Sequence, residues 1–286
     1  DRGLDPNVFG PRLSFFFNAH NHFLTEIAKY RAARRLWANL MKDRFHVTNP
    51  KAQLCRFHTQ TGGSTLTAQQ IDNNIVRTTI QALSAVLGGT QSLHTNSKDE
   101  ALALPTDETA RLALRTQQII AYESGIADYP DPFGGSYVIE ELTDQLESDA
   151  RALIAQIDDM GGAVKAIEQG WIQNEIARSA YEYQQNIDSG EQVIIGINKF
   201  SEESETDVEL LNIDKEQVHR QRTNVIDYKK NRDNMTVRTE LDALSIAAGT
   251  SENLMPYIVQ CVRAECTLGE ITDALRSVFG EYKDTF

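Results

Sequence analysis

Short β-type runs alternate with amphipathic helical stretches along the first half of the chain. The run RLSFFFNAH, residues 12–20, predicts a strand, and apolar residues then recur at three- and four-residue steps from Phe23 to Met41, as on one buried helix face. The runs AQLCRFHTQT, TQSLHTNS and SGIADY predict three more strands, and each precedes another helical stretch. Four strand-helix units in a row favour an α/β fold with a parallel sheet, because crossover helices join parallel neighbours. The pattern leaves a doubly wound sheet and a (β/α)8 barrel equally open.

The pattern changes after Gly162. Two helical stretches, AVKAIEQG and WIQNEIARSAYEYQQNIDSG, lead to a single β-like run, QVIIGINKF. The acidic stretch from Ser201 to Glu209 is typical of a linker or an exposed loop, and the residues from Lys215 onward predict three or four helices. The three consecutive phenylalanines of the first strand predict core positions.

The composition is that of an acidic globular protein. The 286 residues include 41 acidic and 28 basic side chains, for a net charge of -13, which excludes a nucleic-acid protein that relies on phosphate contacts. No stretch approaches the roughly 18 apolar residues of a membrane span. Cys55, Cys261 and Cys266 form neither a disulfide framework nor a zinc motif. We therefore expect a cytoplasmic protein with no membrane or nucleic-acid partner, and the start at Asp1 without Met leads us to expect a longer polypeptide.

The densest polar cluster follows the second predicted strand. His58 and Gln60 are two residues apart there, so their side chains point to the same side of the sheet. Gly62 and Gly63 come directly afterwards and permit a tight turn or the close approach of a large ligand. A single histidine or a glycine pair is more often structural, so the interest of this cluster depends on a second one nearby.

A second polar cluster occupies the equivalent end of the next strand. It contains Gln91, His94, Asn96 and Glu100 within ten residues. Neutral amides with one carboxylate suit the recognition of hydroxyl and amide groups on a sugar or nucleotide better than they suit hydrolysis. Two such clusters at neighbouring strand ends predict a ligand site, because both α/β architectures bind their ligands at that edge.

Other common sites find little support in the sequence. The chain has no GxGxxG loop, no GxxxxGK[ST] loop and no GxSxG elbow. His20 and His22 form an HxH pair at a strand-helix junction, but one pair without further ligands does not predict a metal site.

Three long segments together resemble the large, catalytic subunit of the methylmalonyl-CoA mutase family. They are RFHTQTGGSTLTAQQ, the continuous run from RTTIQALSAVLGGTQSLHTNS to RTQQIIAYESG, and DPFGGSYVIEELT, and the resemblance extends from Arg12 to the C-terminus. It implies adenosylcobalamin-dependent isomerisation of an acyl-CoA by a radical mechanism, with (R)-methylmalonyl-CoA to succinyl-CoA as the leading reaction. It also implies that the acyl-CoA threads the axis of a (β/α)8 barrel, with cobalamin across the carboxyl end.

On this resemblance, the chain is the second half of a (β/α)8 TIM barrel followed by a mostly helical C-terminal linker region. Residues 1–162 are expected to form the barrel half, and residues 163–200 to pack helices and a strand on it. Residues 201–286 are expected to form an acidic loop and the helical linker region. Half a barrel exposes two sheet edges, which proteins normally pair or cover, so a longer polypeptide is expected on this ground too.

The resemblance also assigns roles to single residues on the substrate side. It implies that Arg12, Ser14, His58 and Gln91 contact the CoA part of the substrate, with His58 also near its carbonyl group. His58 and Gln60 are the catalytic candidates, and no residue is assigned to a metal.

On the cofactor side, the resemblance implies five contacts to adenosylcobalamin. Gln60 is expected near the adenosyl group, and Gly63 where the backbone approaches the corrin. Asn96 and Glu100 are expected near the ribose and the corrin, and Ala103 along the corrin face.

The sequence departs from the family in ways that bear on partners and substrate. Ser64 stands where some members carry Trp, which leaves the packing against the corrin open. The chain has no DxHxxG motif, whose histidine ligates cobalt from below, so the resemblance implies a small cobalamin-binding subunit or domain as partner in a hetero-oligomer. The substrate-gripping residues of the first barrel half are also missing. Isobutyryl-CoA and 2-hydroxyisobutyryl-CoA therefore stay open as alternative substrates, as does a non-catalytic acyl-CoA or cobalamin-binding module, and the chain alone is expected to be inactive.

Overall fold

Helices and strands alternate through the first part of the chain, as the hydrophobic pattern predicts. The computed structural model describes residues 3–202 and 210–282, so most of the acidic stretch predicted as a linker lies outside the described residues. The elements in chain order are α1 (Pro6–Phe9), β1 (Phe15–Ala19), α2 (Phe23–Asn39), β2 (Phe57–Thr61), α3 (Asn73–Leu87), β3 (Ser92–His94), α4 (Asp107–Tyr122), α5 (Tyr137–Asp159), α6 (Ala163–Glu168), α7 (Trp171–Ser189), α8 (Lys215–Asn231), α9 (Asn234–Ala248), α10 (Met255–Arg263) and α11 (Leu268–Phe279). Among the helices described, none has both the length and the apolar character needed to cross a membrane.

The three strands form one parallel sheet in the order β1-β2-β3. Phe15 on β1 pairs with Phe57 on β2, and His58 on β2 pairs with Ser92 on β3. Helix α2 connects the first two strands and α3 connects the second and third. The predicted α/β fold with a parallel sheet is thereby confirmed.

One face of the sheet packs against the helices. Tyr30 of α2 is fully buried and stacks on Phe57, with 5.1 Å between the ring centroids. Phe17 presents a ring edge to both of them. Burial raises the pKa of the Tyr30 phenol, and its hydroxyl donates to the Asn18 carbonyl at 3.2 Å. This aromatic cluster joins α2 to the first two strands.

The opposite face of the sheet is open. Phe16 points to this face and is 59% exposed, although the sequence predicted a core position for all three phenylalanines of β1. Side chains alternate along a strand, so when Phe15 and Phe17 face the helices, Phe16 must face away from them. The same alternation places His58 and Gln60 together on the open face.

Two predicted strands are absent from the described residues. SGIADY forms a 3-10 turn, Ile126–Asp128, because Gly125 before it adopts a left-handed conformation (φ 71°) that ends the extended chain. QVIIGINKF forms a tight turn in which the Gly196 N–H donates to the Lys199 carbonyl at 2.8 Å. In both runs, local turn hydrogen bonds replace the strand pairing that the apolar residues predicted.

By its contacts, the chain divides into two compact units, Asp1–Leu211 and Asn212–Phe286. Within the described part of the second unit there are four helices, α8 to α11, which agrees with the prediction of three or four. Its core contains Val237, Leu244, Cys261, Cys266 and Ile271. The finer boundaries predicted after residues 162 and 200 stay predictions.

Glu270 is expected to make the stability of the second unit depend on pH. Arg232, whose side chain is 3% exposed, donates to both Glu270 carboxylate oxygens at 2.8 and 2.5 Å, and the Thr267 N–H adds a bond at 2.9 Å. These bonds hold the pKa of Glu270 well below its ordinary value of about 4.3. A depressed pKa stabilises the fold above the unfolded-state pKa, and this stabilisation is lost as the pH falls through the folded-state pKa.

We therefore expect Glu270→Gln to lower the free energy of unfolding of residues 215–279 by about 2 kcal/mol at pH 7. The same variant should lose less stability than the wild type as the pH falls below about 4.3. Hydrogen exchange in peptides from residues 215–279, corrected for the intrinsic rate at each pH, measures both effects. Asp242→Asn, a neutralisation at an exposed position of the same unit, is the control. Identical acid sensitivity in the Glu270 variant and the wild type would contradict the assignment.

Candidate functional site

Three residues predicted to contact the CoA moiety lie at the amino end of the sheet. Arg12 and Ser14 lie just before β1 and are exposed, and Gln91 lies just before β3. The Gln91 side chain already has two partners: its Oε1 accepts from the Phe57 N–H at 2.6 Å, and its Nε2 donates to the Gly89 carbonyl at 2.8 Å. Gln91 therefore fastens the start of β2 to the loop before β3. A ligand must compete with these backbone bonds to use the Gln91 amide.

His58 occupies the middle of the open face. Its Nδ1 atom shares a hydrogen bond of 2.7 Å with the hydroxyl of Ser92, its partner on β3. On the other side, the His58 ring lies 5.2 Å from the ring of Phe16, centroid to centroid. These two contacts fix the imidazole, and in the described residues no hydrogen bond involves Nε2. The free nitrogen is therefore the one that can meet a ligand.

Gln60 and Asn96 form a linked pair at the carboxyl end of the sheet. Gln60 Nε2 donates to Asn96 Oδ1 at 3.1 Å. Asn96 is 2% exposed, and it is anchored to Thr61 twice: its N–H donates to the Thr61 hydroxyl at 2.9 Å and its Nδ2 to the Thr61 carbonyl at 3.0 Å. The two amides that the sequence placed in separate clusters thus meet in one network.

Glu100 and His20 approach the glycine turn from two sides. A Cβ atom on Gly63 would lie 2.9 Å from Glu100 Oε1 and 3.0 Å from Asn96 Nδ2. A Cβ atom on Gly62 would lie 2.7 Å from the Cδ2 atom of His20. Only glycine leaves these groups in place, so the side chains of His20, Glu100 and Asn96 lie directly against the turn.

Gln81, a buried glutamine that the sequence pattern did not single out, links the segments at the carboxyl end of the open face. Gln81 of α3 is fully buried, and its Oε1 accepts from the Gly62 N–H at 3.0 Å. Its Nε2 donates to Asn21 Oδ1 and to the Thr65 hydroxyl, both at 2.6 Å. Gln81 therefore ties the segment after β1 to the turn after β2. The available signal was a polar residue on the inner, apolar face of a predicted helix.

Asp99 secures the loop that carries Asn96 and Glu100. Its side chain is fully buried, and Oδ2 accepts from the Thr109 hydroxyl at 2.8 Å near the start of α4. Ala103, which is half-buried, belongs to the same loop, and its N–H donates to the Asp99 carbonyl at 3.0 Å. The structure thus places three of the five predicted cofactor residues, Asn96, Glu100 and Ala103, on one loop, and Asp99 anchors that loop to the start of α4.

The side chains of the candidate site can bind a ligand through hydrogen bonds. None of the three described strands contains Lys, Arg, Asp or Glu, and the carboxylate beside the glycine turn belongs to Glu100. Neutral amides, hydroxyls and imidazoles bind and orient carbonyl, hydroxyl and amide groups of a ligand. The site therefore supplies orientation, with no paired acid and base on the sheet face.

A family model described as methylmalonyl-CoA mutase matches residues 1–281. The chain belongs to the methylmalonyl-CoA mutase family. Human methylmalonyl-CoA mutase, mitochondrial, is 49% identical across 98% of the chain, and the methylmalonyl-CoA mutase of Escherichia coli strain K12 is 45% identical across 98%. The 2-hydroxyisobutanoyl-CoA mutase large subunit of Aquincola tertiaricarbonis is 45% identical across 99%. The family resemblance drawn from the sequence motifs is confirmed.

The chain spans about half or less of these mutase family members. It covers 38% of the human protein, 39% of the Escherichia coli protein and 51% of the Aquincola large subunit. About half or more of each relative therefore has no counterpart in the chain.

Gln81→Met is expected to loosen the carboxyl end of the open sheet face while leaving the shape of the core. Methionine keeps the unbranched form of glutamine but makes none of its three hydrogen bonds, so the free energy of unfolding should fall by about 2 kcal/mol. Hydrogen exchange should rise most in peptides that contain Gly62 and Thr65. Gln156→Met, at an exposed position of α5, is the matched control. Equal protection of the turn in both variants would refute the role of Gln81.

Proposed function

We propose that this chain supplies part of the substrate and cofactor site of an adenosylcobalamin-dependent acyl-CoA mutase, an isomerase. The observation that supports this most is the order of residues along the open sheet face. The residues expected to contact CoA lie at the amino end, His58 lies in the middle, and the residues expected to contact the cofactor lie at the carboxyl end. An acyl-CoA that lies along the strands would present its parts in this same order.

The dimensions of the sheet suit such a substrate. The five residues of β2 span about 13 Å at about 3.3 Å per residue. Arg12 and Ser14 before β1 would hold the CoA end, with Gln91 two strands away before β3, and His58 would donate to or accept from the acyl part through Nε2. Because Ser92 and Phe16 fix the His58 ring, the substrate meets a group that is already oriented.

The carboxyl end fits adenosylcobalamin. Gly63 has no side chain to hold a large flat ring away from the turn, and Glu100 and Asn96 lie directly beside it. Asn96 and Glu100 offer an amide and a carboxylate to ribose hydroxyls, Gln60 lies next to Asn96, and Ala103 supplies a small apolar surface. When bound, the cofactor supplies the radical that starts the rearrangement of the carbon skeleton. The chain's own residues bind, orient and keep water away from the reactants.

The fold is consistent with an arc of a (β/α)8 barrel. Parallel strands with helices on one face and ligand groups on the other are the arrangement found inside such barrels. We infer that residues 1–162 form the second half of the barrel, that residues 163–200 pack on it, and that residues 201–286 form the linker region. A cytoplasmic location stays part of the proposal, and the human relative is named mitochondrial.

A partner completes the proposed enzyme. The chain has no DxHxxG motif, so we infer that a small cobalamin-binding subunit or a further domain supplies the lower cobalt ligand. The name of the Aquincola relative, a large subunit, accords with a hetero-oligomer for that protein.

The test is a turnover assay of the full-length protein with its small cobalamin-binding partner and adenosylcobalamin. Methylmalonyl-CoA, isobutyryl-CoA and 2-hydroxyisobutyryl-CoA are offered in parallel. We expect isomerisation of one ester, with (R)-methylmalonyl-CoA to succinyl-CoA as the leading family reaction and the other two as alternatives. Bound cobalamin without turnover of any ester would overturn the mutase assignment in favour of a non-catalytic binding module.

A further inference from the structure

A short segment after helix α7 contacts the loop that follows β2. We call this segment, residues 192–200, the strap. Its Gly196 is buried beneath Gln70: a Cβ atom on this glycine would lie 3.2 Å from both Cδ and Oε1 of Gln70. Gln70 Nε2 also donates to the Phe200 carbonyl at 2.9 Å. The strap therefore packs against the same loop that contains the glycine turn of the candidate site.

The side chain of Asn198 fixes the shape of the strap. Its Oδ1 accepts from the Ile194 N–H at 2.8 Å. Its Nδ2 donates to the Gln192 carbonyl and to the Ile187 carbonyl, both at 2.8 Å. Because Ile187 belongs to the last turn of α7, the strap is bonded to that helix and has a defined conformation of its own.

Arg77 of α3 joins the strap to the loop. Its Nη2 donates to the Ile195 carbonyl of the strap at 2.8 Å. Its Nη1 donates to the Thr67 hydroxyl at 3.0 Å and to Asn74 Oδ1 at 2.8 Å. Burial lowers the pKa of this guanidinium. The planar fork of an arginine can bind several acceptors at once, and here it links the strap, the loop after β2 and helix α3.

Asn74 extends this link to the second loop of the candidate site. The residue is fully buried, and the Oδ1 atom that Arg77 contacts also accepts from the Thr67 N–H at 3.1 Å. Asn74 Nδ2 donates to the Thr67 carbonyl at 2.8 Å and to the Lys98 carbonyl at 2.9 Å. Lys98 lies two residues before Glu100. One buried amide therefore connects both loops, and Arg77 holds that amide.

We propose that Arg77 is a positioning residue for the adenosylcobalamin site, which acts by fastening the strap to the two loops. The inference rests on the proposed function. The path runs from the Ile195 carbonyl through Arg77 and Asn74 to the Lys98 backbone, and from there to Glu100. Local sequence gives no sign of this role, because Arg77 and its partner in the strap are 118 residues apart.

Cofactor binding by an Arg77 variant tests this inference. Adenosylcobalamin is titrated into the full-length protein with its cobalamin-binding partner, and visible absorbance gives the Kd. Arg77→Met keeps an unbranched side chain but donates no hydrogen bond, so binding should weaken roughly three- to tenfold. Hydrogen exchange should rise in peptides from residues 64–72 and 97–103. Arg178→Met, at an exposed position of α7, should leave both measurements unchanged.

Gly196→Ala changes the strap from its own side and serves if Arg77→Met does not fold. Gly196 has φ 84°, and an added Cβ atom would press on Gln70, so the strap must lift. We expect a similar loss of cofactor affinity, although Gly196 lies in neither loop. Gly280→Ala is the matched control, because it has φ 72° with nothing within 4 Å of a Cβ atom. The double variant with Arg77→Met should bind about as weakly as the weaker single variant, since both changes break one contact.

A Glu100→Ala background separates positioning from general stabilisation of the fold. Arg77→Met should weaken cofactor binding less in this background than in the wild type, because a group that Arg77 positions is then absent. An equal factor in both backgrounds would overturn the inference, and so would an unchanged Kd in both Arg77→Met and Gly196→Ala. A wild-type protein that does not bind adenosylcobalamin would overturn the proposed function as well, which distinguishes the two failures.

Discussion

Replacing Gly88 by alanine should lower the free energy of unfolding of the first unit by about 3 kcal/mol. The added Cβ atom would lie 2.2 Å from Cδ2 and 3.0 Å from Cγ of the Tyr30 ring. That ring is fully buried, stacks on Phe57 and is bonded through its hydroxyl to the Asn18 carbonyl, so it has no space to move. Relief must come from displacement of the end of α3, where the Gly88 N–H donates to the Ser84 carbonyl at 2.8 Å.

Hydrogen exchange in peptides from residues 73–87 measures this loss. Gly269→Ala is the control, because nothing lies within 4 Å of a Cβ atom there and the position is inside helix α11. That change should be neutral or stabilising by up to about 1 kcal/mol. Combining Gly88→Ala with Tyr30→Leu should cost less than the sum of the two changes, since the smaller side chain removes the clash. If Gly88→Ala keeps the wild-type protection from hydrogen exchange, the end of α3 moves without cost and the prediction is wrong.

Gly63→Val is expected to weaken adenosylcobalamin binding at least about tenfold while the fold survives. The new side chain would project between Glu100 Oε1 and Asn96 Nδ2, at 2.9 and 3.0 Å from its Cβ atom. The exposed Glu100 side chain can swing aside, whereas Asn96 is buried and bound to Thr61, so the free energy of unfolding should fall by about 2 kcal/mol. The branched side chain would still cover the glycine turn that the cofactor is proposed to approach.

Titration of adenosylcobalamin into the full-length protein and its partner, followed by visible absorbance, gives the cofactor Kd. Ala68→Val makes a comparable addition at an exposed position of the same loop and should leave the Kd unchanged. Unaltered cofactor affinity in Gly63→Val would remove the glycine turn from the proposed site. The two glycine substitutions therefore differ in their main effect: Gly88→Ala acts on stability, because it meets a buried ring, and Gly63→Val acts on the proposed cofactor site, because it meets the exposed Glu100.

Local pattern predicted the elements that have strong periodicity and clear ends. Helix α2 follows from the apolar steps between Phe23 and Met41, and α4 begins after Thr106, whose side chain accepts from the Thr109 N–H. The same rules failed for SGIADY and for QVIIGINKF, which are short apolar runs without partner strands. A strand is stabilised by its neighbours, so runs of six and nine residues do not reveal whether a neighbour is present.

The candidate site could also be predicted only in part from the sequence. Spacing alone placed His58 and Gln60 on one side of β2, and the motifs identified the family, because both depend only on residues close together in the chain. The role of each residue toward substrate and cofactor stays a prediction.

Contacts between distant segments emerged from the packing of the chain. The buried amide of Gln81 joins segments 60 and 16 residues away, and Asn18, Gln60 and His94 lie side by side because three strands align in one register. The linear sequence contains these residues but does not show which of them contact one another. Side-chain alternation alone shows that Phe16 faces away from Phe15 and Phe17. It does not show which of the two faces is buried, because three phenylalanines in a row look the same from either side. The helices decide this by packing against Phe15 and Phe17, which leaves Phe16 on the exposed face that carries the candidate site.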